Sequence, residues 1–180
     1  MIYAIAVLVL LAVFLVGLYN KLAKQKVVVE EASADIETFL KQRYDMIPNL
    51  VEIVKGYAKH EQETFKEITE MRAKAMSAGS LPEKMELEDQ LTKAVSKIIA
   101  VAENYPELKA NTNFLDLQSS LKDLEDNIQK SRRFYNGAAR DFNTLIAVFP
   151  NNLLAGVLGF AKLPFFEASE EEKKNVEVKF

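Results

Sequence analysis

The sequence predicts an all-α protein in which an N-terminal transmembrane helix continues into a long antiparallel bundle of four main helices. Three observations lead there. The first 20 residues carry no charged side chain, and Lys21, Lys24 and Lys26 follow at once. Beyond them apolar residues recur at helical spacing, with no sustained period-2 alternation. Glycine and proline occur only as punctuation between these runs.

Met1 to Leu18 is apolar or small throughout, with Tyr19 and Asn20 at its edge. At 1.5 Å per residue such a helix is roughly 30 Å long, the hydrocarbon thickness of a bilayer. A buried core helix would show a polar face, and Ile2 to Leu18 has none. A cleaved signal peptide would have a basic start, a shorter apolar stretch and a small-residue cleavage site. No basic residue precedes this run, and Leu18-Tyr19-Asn20-Lys21 has no such pattern. Residues 1–20 are therefore expected to be a retained anchor, 21–166 a helical bundle domain, and 167–180 a mobile charged tail. Lys21, Lys24 and Lys26 are placed at the membrane surface. By the positive-inside rule they predict a single-pass protein of the cell membrane with its C-terminal domain in the cytoplasm. Glu30 and Glu31 contribute little to that rule.

The bundle elements come in order. Lys21 to about Tyr44 continues the membrane helix, its inner stripe formed by Val29, Ala32, Ile36 and Phe39 or Leu40. Pro48 is expected to mark a boundary, because proline suits the first turn of a helix and restricts the residue before it. A second helix is predicted from about Pro48 to Met76, with Leu50, Val54, Tyr57, Phe65, Ile68, Met71 and Ala75 on one face. Ser77 to Pro82 reads as a turn. A third helix is predicted from about Glu83 to Glu103, with Leu87, Leu91, Ala94, Ile98 and Val101 inward. Pro106 closes it, and Asn111-Thr112-Asn113 offers caps for the fourth.

The fourth helix, predicted over Asn113–Phe149, has the strongest periodicity. Phe114, Leu117, Leu121, Leu124, Ile128, Ser131, Tyr135, Ala138, Phe142, Leu145 and Phe149 alternate steps of three and four. Such a stripe predicts packing along the whole length at a shallow crossing angle, as in a coiled-coil-like bundle. Pro150 stops it. Asn151 to Phe160 and on through Phe166 is apolar enough to cap the bundle end or to touch lipid.

Composition narrows the chemistry. With 23 Lys and Arg against 26 Asp and Glu, the net charge of −3 disfavours nucleic acid as a partner. There is no cysteine, so disulfides, thiolate nucleophiles and zinc–cysteine sites are excluded. His60 is the only histidine, and Thr64 stands where a helical zinc peptidase motif needs a second. No G-x-S-x-G elbow and no P-loop occur. No catalytic residue, metal ligand or cofactor site is predicted. Glu67, Glu70, Glu88 and Asp126 are read as solvated charge on helix surfaces.

Two basic clusters stand out. Lys41, Arg43 and Asp45 end the first soluble stretch, and Lys130, Arg132, Arg133 and Arg140 lie midway along the fourth helix among Phe134, Tyr135, Asn136 and Asn143. These arginines either pair with carboxylates inside the bundle or recognise an acidic partner segment or lipid headgroups. Arg43, Arg132, Arg133, Tyr135 and Asn136 are the candidate partner-binding residues. Arg132 and Arg133 point about 100° apart on a helix, so Arg132 is expected to be paired within the bundle and Arg133 to be exposed.

Several segments resemble the LemA family in their expected order. Leu40-Lys41-Gln42-Arg43-Tyr44-Asp45-Met46-Ile47-Pro48-Asn49-Leu50-Val51 is similar to the stretch behind the family's anchor, as is Lys55-Gly56-Tyr57-Ala58. Ala102-Glu103-Asn104-Tyr105-Pro106-Glu107-Leu108-Lys109-Ala110-Asn111 resembles the end of its third helix. Ser131-Arg132-Arg133-Phe134-Tyr135-Asn136 and Phe142-Asn143-Thr144, through Phe149-Pro150-Asn151-Asn152-Leu153, resemble its fourth. Gln42 departs from the pattern where a second arginine is common, and Ser33 where an aromatic residue is.

The resemblance implies a bacterial or archaeal single-pass membrane protein with a bundle of four main helices. It carries over no catalytic residues. Family members that occur beside membrane metallopeptidases or other envelope proteins suggest such partners. The expected function is a non-enzymatic scaffold or adaptor at the lipid bilayer, able to form homo-oligomers. Two rivals stand beside it: a lipid-binding or membrane-shaping module acting through Lys21–Lys26 and Leu153–Phe166, and a carboxylate-based hydrolase in a bundle cleft.

Overall fold

The apolar N-terminal run and the soluble segment behind it form one helix, α1 (Ile2–Tyr57), in the computed structural model of the chain, which describes residues 1–166. It is succeeded by α2 (Gln62–Ser77), α3 (Leu81–Glu103), the single turn α4 (Pro106–Lys109), α5 (Thr112–Ala147) and the single turn α6 (Asn151–Leu154). The fold is all-α, with no strand among the described residues. The expected tail at 167–180 lies outside them.

Pro48 is not a boundary, which corrects the predicted start of the second helix. It lies inside α1 with its ring exposed. Proline has no N–H to give the carbonyl four residues back, here that of Tyr44. Arg72 supplies the missing donor, its Nε 2.6 Å from the Tyr44 oxygen. The chain turns instead at residues 58–61. Gly56 weakens the helix just before this turn, and fully buried Ala58 holds it in place. The stretch read as one helix from Pro48 to Met76 is thus divided between α1 and α2.

The other ends obey their caps. Ser80 Oγ accepts from the Glu83 amide at 3.4 Å, while the Glu83 carboxylate accepts from the Gly79 amide at 3.1 Å, a variant of the reciprocal capping box. Asn111 Oδ1 accepts from the Phe114 amide at 3.1 Å and starts α5. That helix ends at Ala147, short of the predicted Phe149, whose side chain is 78% exposed rather than inward. The Phe149–Pro150 peptide bond is cis.

By its contacts the chain divides into two compact units. One comprises Ile36–Lys130 together with Phe166. Within it Lys84 meets Glu37 and Arg43 meets Glu88, so α1 and α3 run in the same direction. The pairs Arg72 with Tyr44, Lys97 with Glu67, and Arg43 with Glu125 join α2 to α1, α3 to α2 and α5 to α1. Their registers give an up-down-up-down arrangement, the expected antiparallel bundle. Its core holds Ile36, Leu40, Ile47, Leu50 and Val54 of α1, Phe65 and Ile68 of α2, Leu91, Ala94 and Ile98 of α3, and Phe114, Leu121, Leu124 and Ile128 of α5.

The other unit comprises Met1–Asp35 and Ser131–Phe165. Leu18, Leu22, Val29 and Ala32 of α1 are buried here, as are Tyr135, Ala138, Phe142 and Ile146 of α5. Ahead of Leu18, every residue of α1 is exposed except half-buried Leu15. This is the one helix among those described that is long and apolar enough to cross a membrane.

Candidate functional site

Arg43, a candidate partner-binding residue with pairing inside the bundle as its other expectation, is turned inward by the helix. The face of α1 carrying Ile36, Leu40, Ile47 and Leu50 also carries residue 43, so its guanidinium enters the core, 3% exposed. There Nη1 lies 3.4 Å from Glu88 Oε2 and 3.2 Å from Glu125 Oε2, while Nη2 donates to Thr92 Oγ1 at 2.6 Å. Tyr44 donates its hydroxyl to the other oxygen of Glu88. Burial holds the Tyr44 phenol well above the ordinary tyrosine range, and the Glu88 hydrogen bond and charge push the same way. Arg43 is therefore spent on the chain's own carboxylates.

Glu88, read as solvated charge, is 1% exposed. Residue 88 lies three positions before Leu91 on the stripe of Leu91, Val95 and Ile98, and that spacing was the available signal. A cleft of about 280 Å³ opens beside this network, with Val95, Ile99 and Leu121 as apolar walls and Lys122 among its lining residues. Exposed pairs such as Lys41 with Asp45 and Lys97 with Glu67 lie on the bundle surface, where they add little.

In the other unit the candidate residues part company by helical phase. Tyr135 is buried, and its hydroxyl donates to the Pro164 carbonyl at 3.1 Å. Burial raises its pKa. Asn143 closes a two-way clasp on Leu163: its Oδ1 accepts from the Leu163 amide at 2.8 Å and its Nδ2 donates to the Leu163 carbonyl at 2.9 Å. These two side chains hold the returning chain along α5. Their family-pattern residue types thus have an internal use, invisible until residues 163 and 164 are placed.

Arg132 is half-buried, whereas Arg133 is exposed. Arg133, Asn136, Gly137, Arg140 and Phe165 line an open groove of about 390 Å³. Arg140 lies 3.5 Å from Asp141 in an exposed pair. Two guanidinium groups beside an amide and an aromatic ring can take a carboxylate or a phosphate, because Arg presents paired N–H donors in a fixed fork. Of the five candidates, Arg133 and Asn136 share this groove, while Arg43 and Tyr135 are interior. Arg140 and Phe165 complete it, the latter because the C-terminal return places it there. Lys21, Lys24 and Lys26 are carried on α1, with Lys26 3.4 Å from Glu30.

Residues 32–180 match the LemA family. The chain is similar to Protein LemA of Metamycoplasma hominis, 29% identical over 163 residues that cover 90% of this chain and 74% of that protein. Magnetosome protein MamQ of Magnetospirillum gryphiswaldense is 24% identical over 192 residues, covering 91% of this chain and 70% of MamQ. Magnetosome protein MamQ 2 of Paramagnetospirillum magneticum is 23% identical over 175 residues, 83% of this chain and 64% of that protein. None of these names is that of an enzyme. Family, relatives and the apolar start of α1 together describe a membrane-associated helical protein.

Proposed function

This chain belongs to the LemA family, and from that premise we propose that it is a membrane-anchored, non-enzymatic helical scaffold or adaptor. The observation that carries the reading is the uncovered state of α1 ahead of Leu18. Its large apolar side chains are exposed, with Leu15 alone half-buried, and a continuous apolar helix of that length is stable in hydrocarbon but not in water. Residues 1–20 serve as a single-pass anchor, and Lys21, Lys24 and Lys26 hold the rest of the chain in the cytoplasm.

The adaptor surface is the groove of Arg133, Asn136 and Arg140. Its occupant is an acidic segment of an envelope or membrane protein, a membrane metallopeptidase among them, or of a second copy of this chain. Crosslinking in native membranes and mass spectrometry of the products test this on the full chain. Wild type is expected to give a defined partner set, and the double variant Arg133→Glu, Arg140→Glu to lose it several-fold while circular dichroism stays unchanged. Unchanged crosslinks in a folded variant would overturn the adaptor role of this groove.

A further inference from the structure

Residues 142–161 contain no charged side chain, a second such stretch beside the N-terminal one, bounded by Asp141 and Lys162. The fold gathers part of it into a tip. After α5 ends, the chain passes through α6 and a further turn, and then returns along α5. Phe160 marks the turning point, its ring 5.8 Å from that of Tyr19 and 6.2 Å from that of Phe142. Leu163 then meets Asn143, and Pro164 meets Tyr135, so the return runs away from the end of α5. Residues 148–159 therefore lie between the end of α5 and the return, joined through Phe160 to the residue that closes the apolar run of α1.

The tip's side chains and backbone divide between outside and inside. Phe149, Leu153 and Val157 are 78%, 64% and 85% exposed. Beneath them the amides bond within the segment: Asn152 to the Val148 carbonyl, Ala155 to Asn151 and Leu158 to Leu154, at 2.8 to 3.0 Å. A Schellman closure ends the run. Gly159, at φ 79°, donates to Gly156, and Phe160 donates to Ala155. Apolar side chains outside and satisfied amides inside are what a lipid interface requires of a short non-spanning segment. Tyr19 is an aromatic residue where the span meets the headgroups, with Lys21 and Lys24 just beyond.

We infer that the 148–159 tip inserts Phe149, Leu153 and Val157 into the interfacial layer of the same bilayer that α1 crosses. This second, non-spanning membrane contact rests on the anchor reading above. Two points of attachment fix the azimuth of α1 as well as its depth, so one face of the unit always meets the membrane. The ligand is the lipid surface itself.

The chain contains no tryptophan, so single Trp variants of the full-length protein report their own surroundings. Leu11→Trp, Phe134→Trp, Phe149→Trp and Val157→Trp would be reconstituted in phosphatidylcholine vesicles containing a minority of phosphatidylglycerol. Quenching by lipid-borne nitroxides is then compared with quenching by aqueous iodide. The tip tryptophans are expected to emit at shorter wavelength than the one at 134, to be quenched by nitroxides near the headgroups, and to be several-fold less accessible to iodide. The tryptophan at 11 is expected to respond to nitroxides deep in the acyl chains. Tip residues open to iodide, with position 11 still quenched from within, overturn the insertion and leave the anchor standing. Tip residues shielded from both quenchers are covered by protein, which also overturns it. Loss of lipid quenching at position 11 overturns anchor and insertion together.

Discussion

Arg72 donates from Nε to the carbonyl of Tyr44 at 2.6 Å, the acceptor that Pro48 leaves without its helical donor. A proline inside a helix costs about 3 kcal/mol, part of it the lost bond and part the clash with the carbonyl four residues back. A side chain from α2 restores the bond from outside α1. The helix can therefore run through Pro48 while α2 is tied to it at the same point.

That exchange predicts non-additivity. Arg72→Met should cost roughly 1–3 kcal/mol, since it removes the donor from a carbonyl in a packed region. In a Pro48→Ala background the cost should shrink, because the alanine N–H can reoccupy Tyr44. Urea melts of the two single variants and the double variant form the cycle. Additive losses would show that Arg72 and Pro48 are independent.

The Arg43 network makes two measurable claims. Arg43→Ala should destabilise by about 3–5 kcal/mol, as breaking a buried pair leaves carboxylates uncompensated. Lys41→Ala, which removes an exposed partner of Asp45, should cost no more than about 1 kcal/mol. A variant at position 43 as mild as the one at 41 would mean that water reaches the network.

Tyr44 adds an alkaline limb. Its folded pKa is raised, so above the unfolded tyrosine pKa of about 10 the unfolded chain loses a proton that the folded chain keeps. Stability is full below that pH and falls as pH rises through and beyond it. Tyr44→Phe should flatten this fall in urea melts taken across the alkaline range. The remaining slope should come partly from Tyr135, whose pKa is also raised. A slope unchanged in Tyr44→Phe would mean that burial and Glu88 do not hold the Tyr44 phenol above its ordinary range.

The α5 stripe separates its inner and outer faces by burial. Leu124 is buried, so Leu124→Ala should cost about 2–5 kcal/mol. Lys122→Ala and Phe149→Ala change exposed side chains and should stay within about 0.5 kcal/mol. Equal melting temperatures for Leu124→Ala and Lys122→Ala would contradict the packing phase of this helix.

Topology can be read from a reporter fused after Phe180. With Lys21, Lys24 and Lys26 in place the fusion should behave as cytoplasmic. Changing all three to glutamine while adding lysines after Met1 should weaken or reverse this. Protease cleavage of the C-terminal region in cells whose outer envelope has been opened would refute the assigned orientation.

Helices were legible in this chain because helical signals are local. The apolar run to Leu18 and the alternation from Phe114 to Phe142 can be recognised within a few turns, and Ser80 and Asn111 cap the helices behind them. Pro48 misled for the same reason. Its local meaning is a helix start, and the donor that allows it an interior place comes from Arg72, 24 positions along the chain. Phe149 fits the repeat by spacing yet falls outside α5, since a stripe cannot show where the neighbour that would bury it ends.

The candidate site divides along the same line. Helical phase alone put Arg132 and Arg133 in different surroundings, and the apolar run of α1 was evident from its residues. The sequence by itself therefore determined that this protein is helical, where its apolar faces lie, and that its first helix suits a bilayer. Tertiary structure alone decided that Glu88 is interior, that Arg43 is spent on Glu88 and Glu125, and that Phe165 joins Arg133 and Arg140. Periodicity reports which residues share a face of one helix. It carries no information about which distant carboxylate or carbonyl will meet that face, and for a charged side chain that partner decides between burial and water.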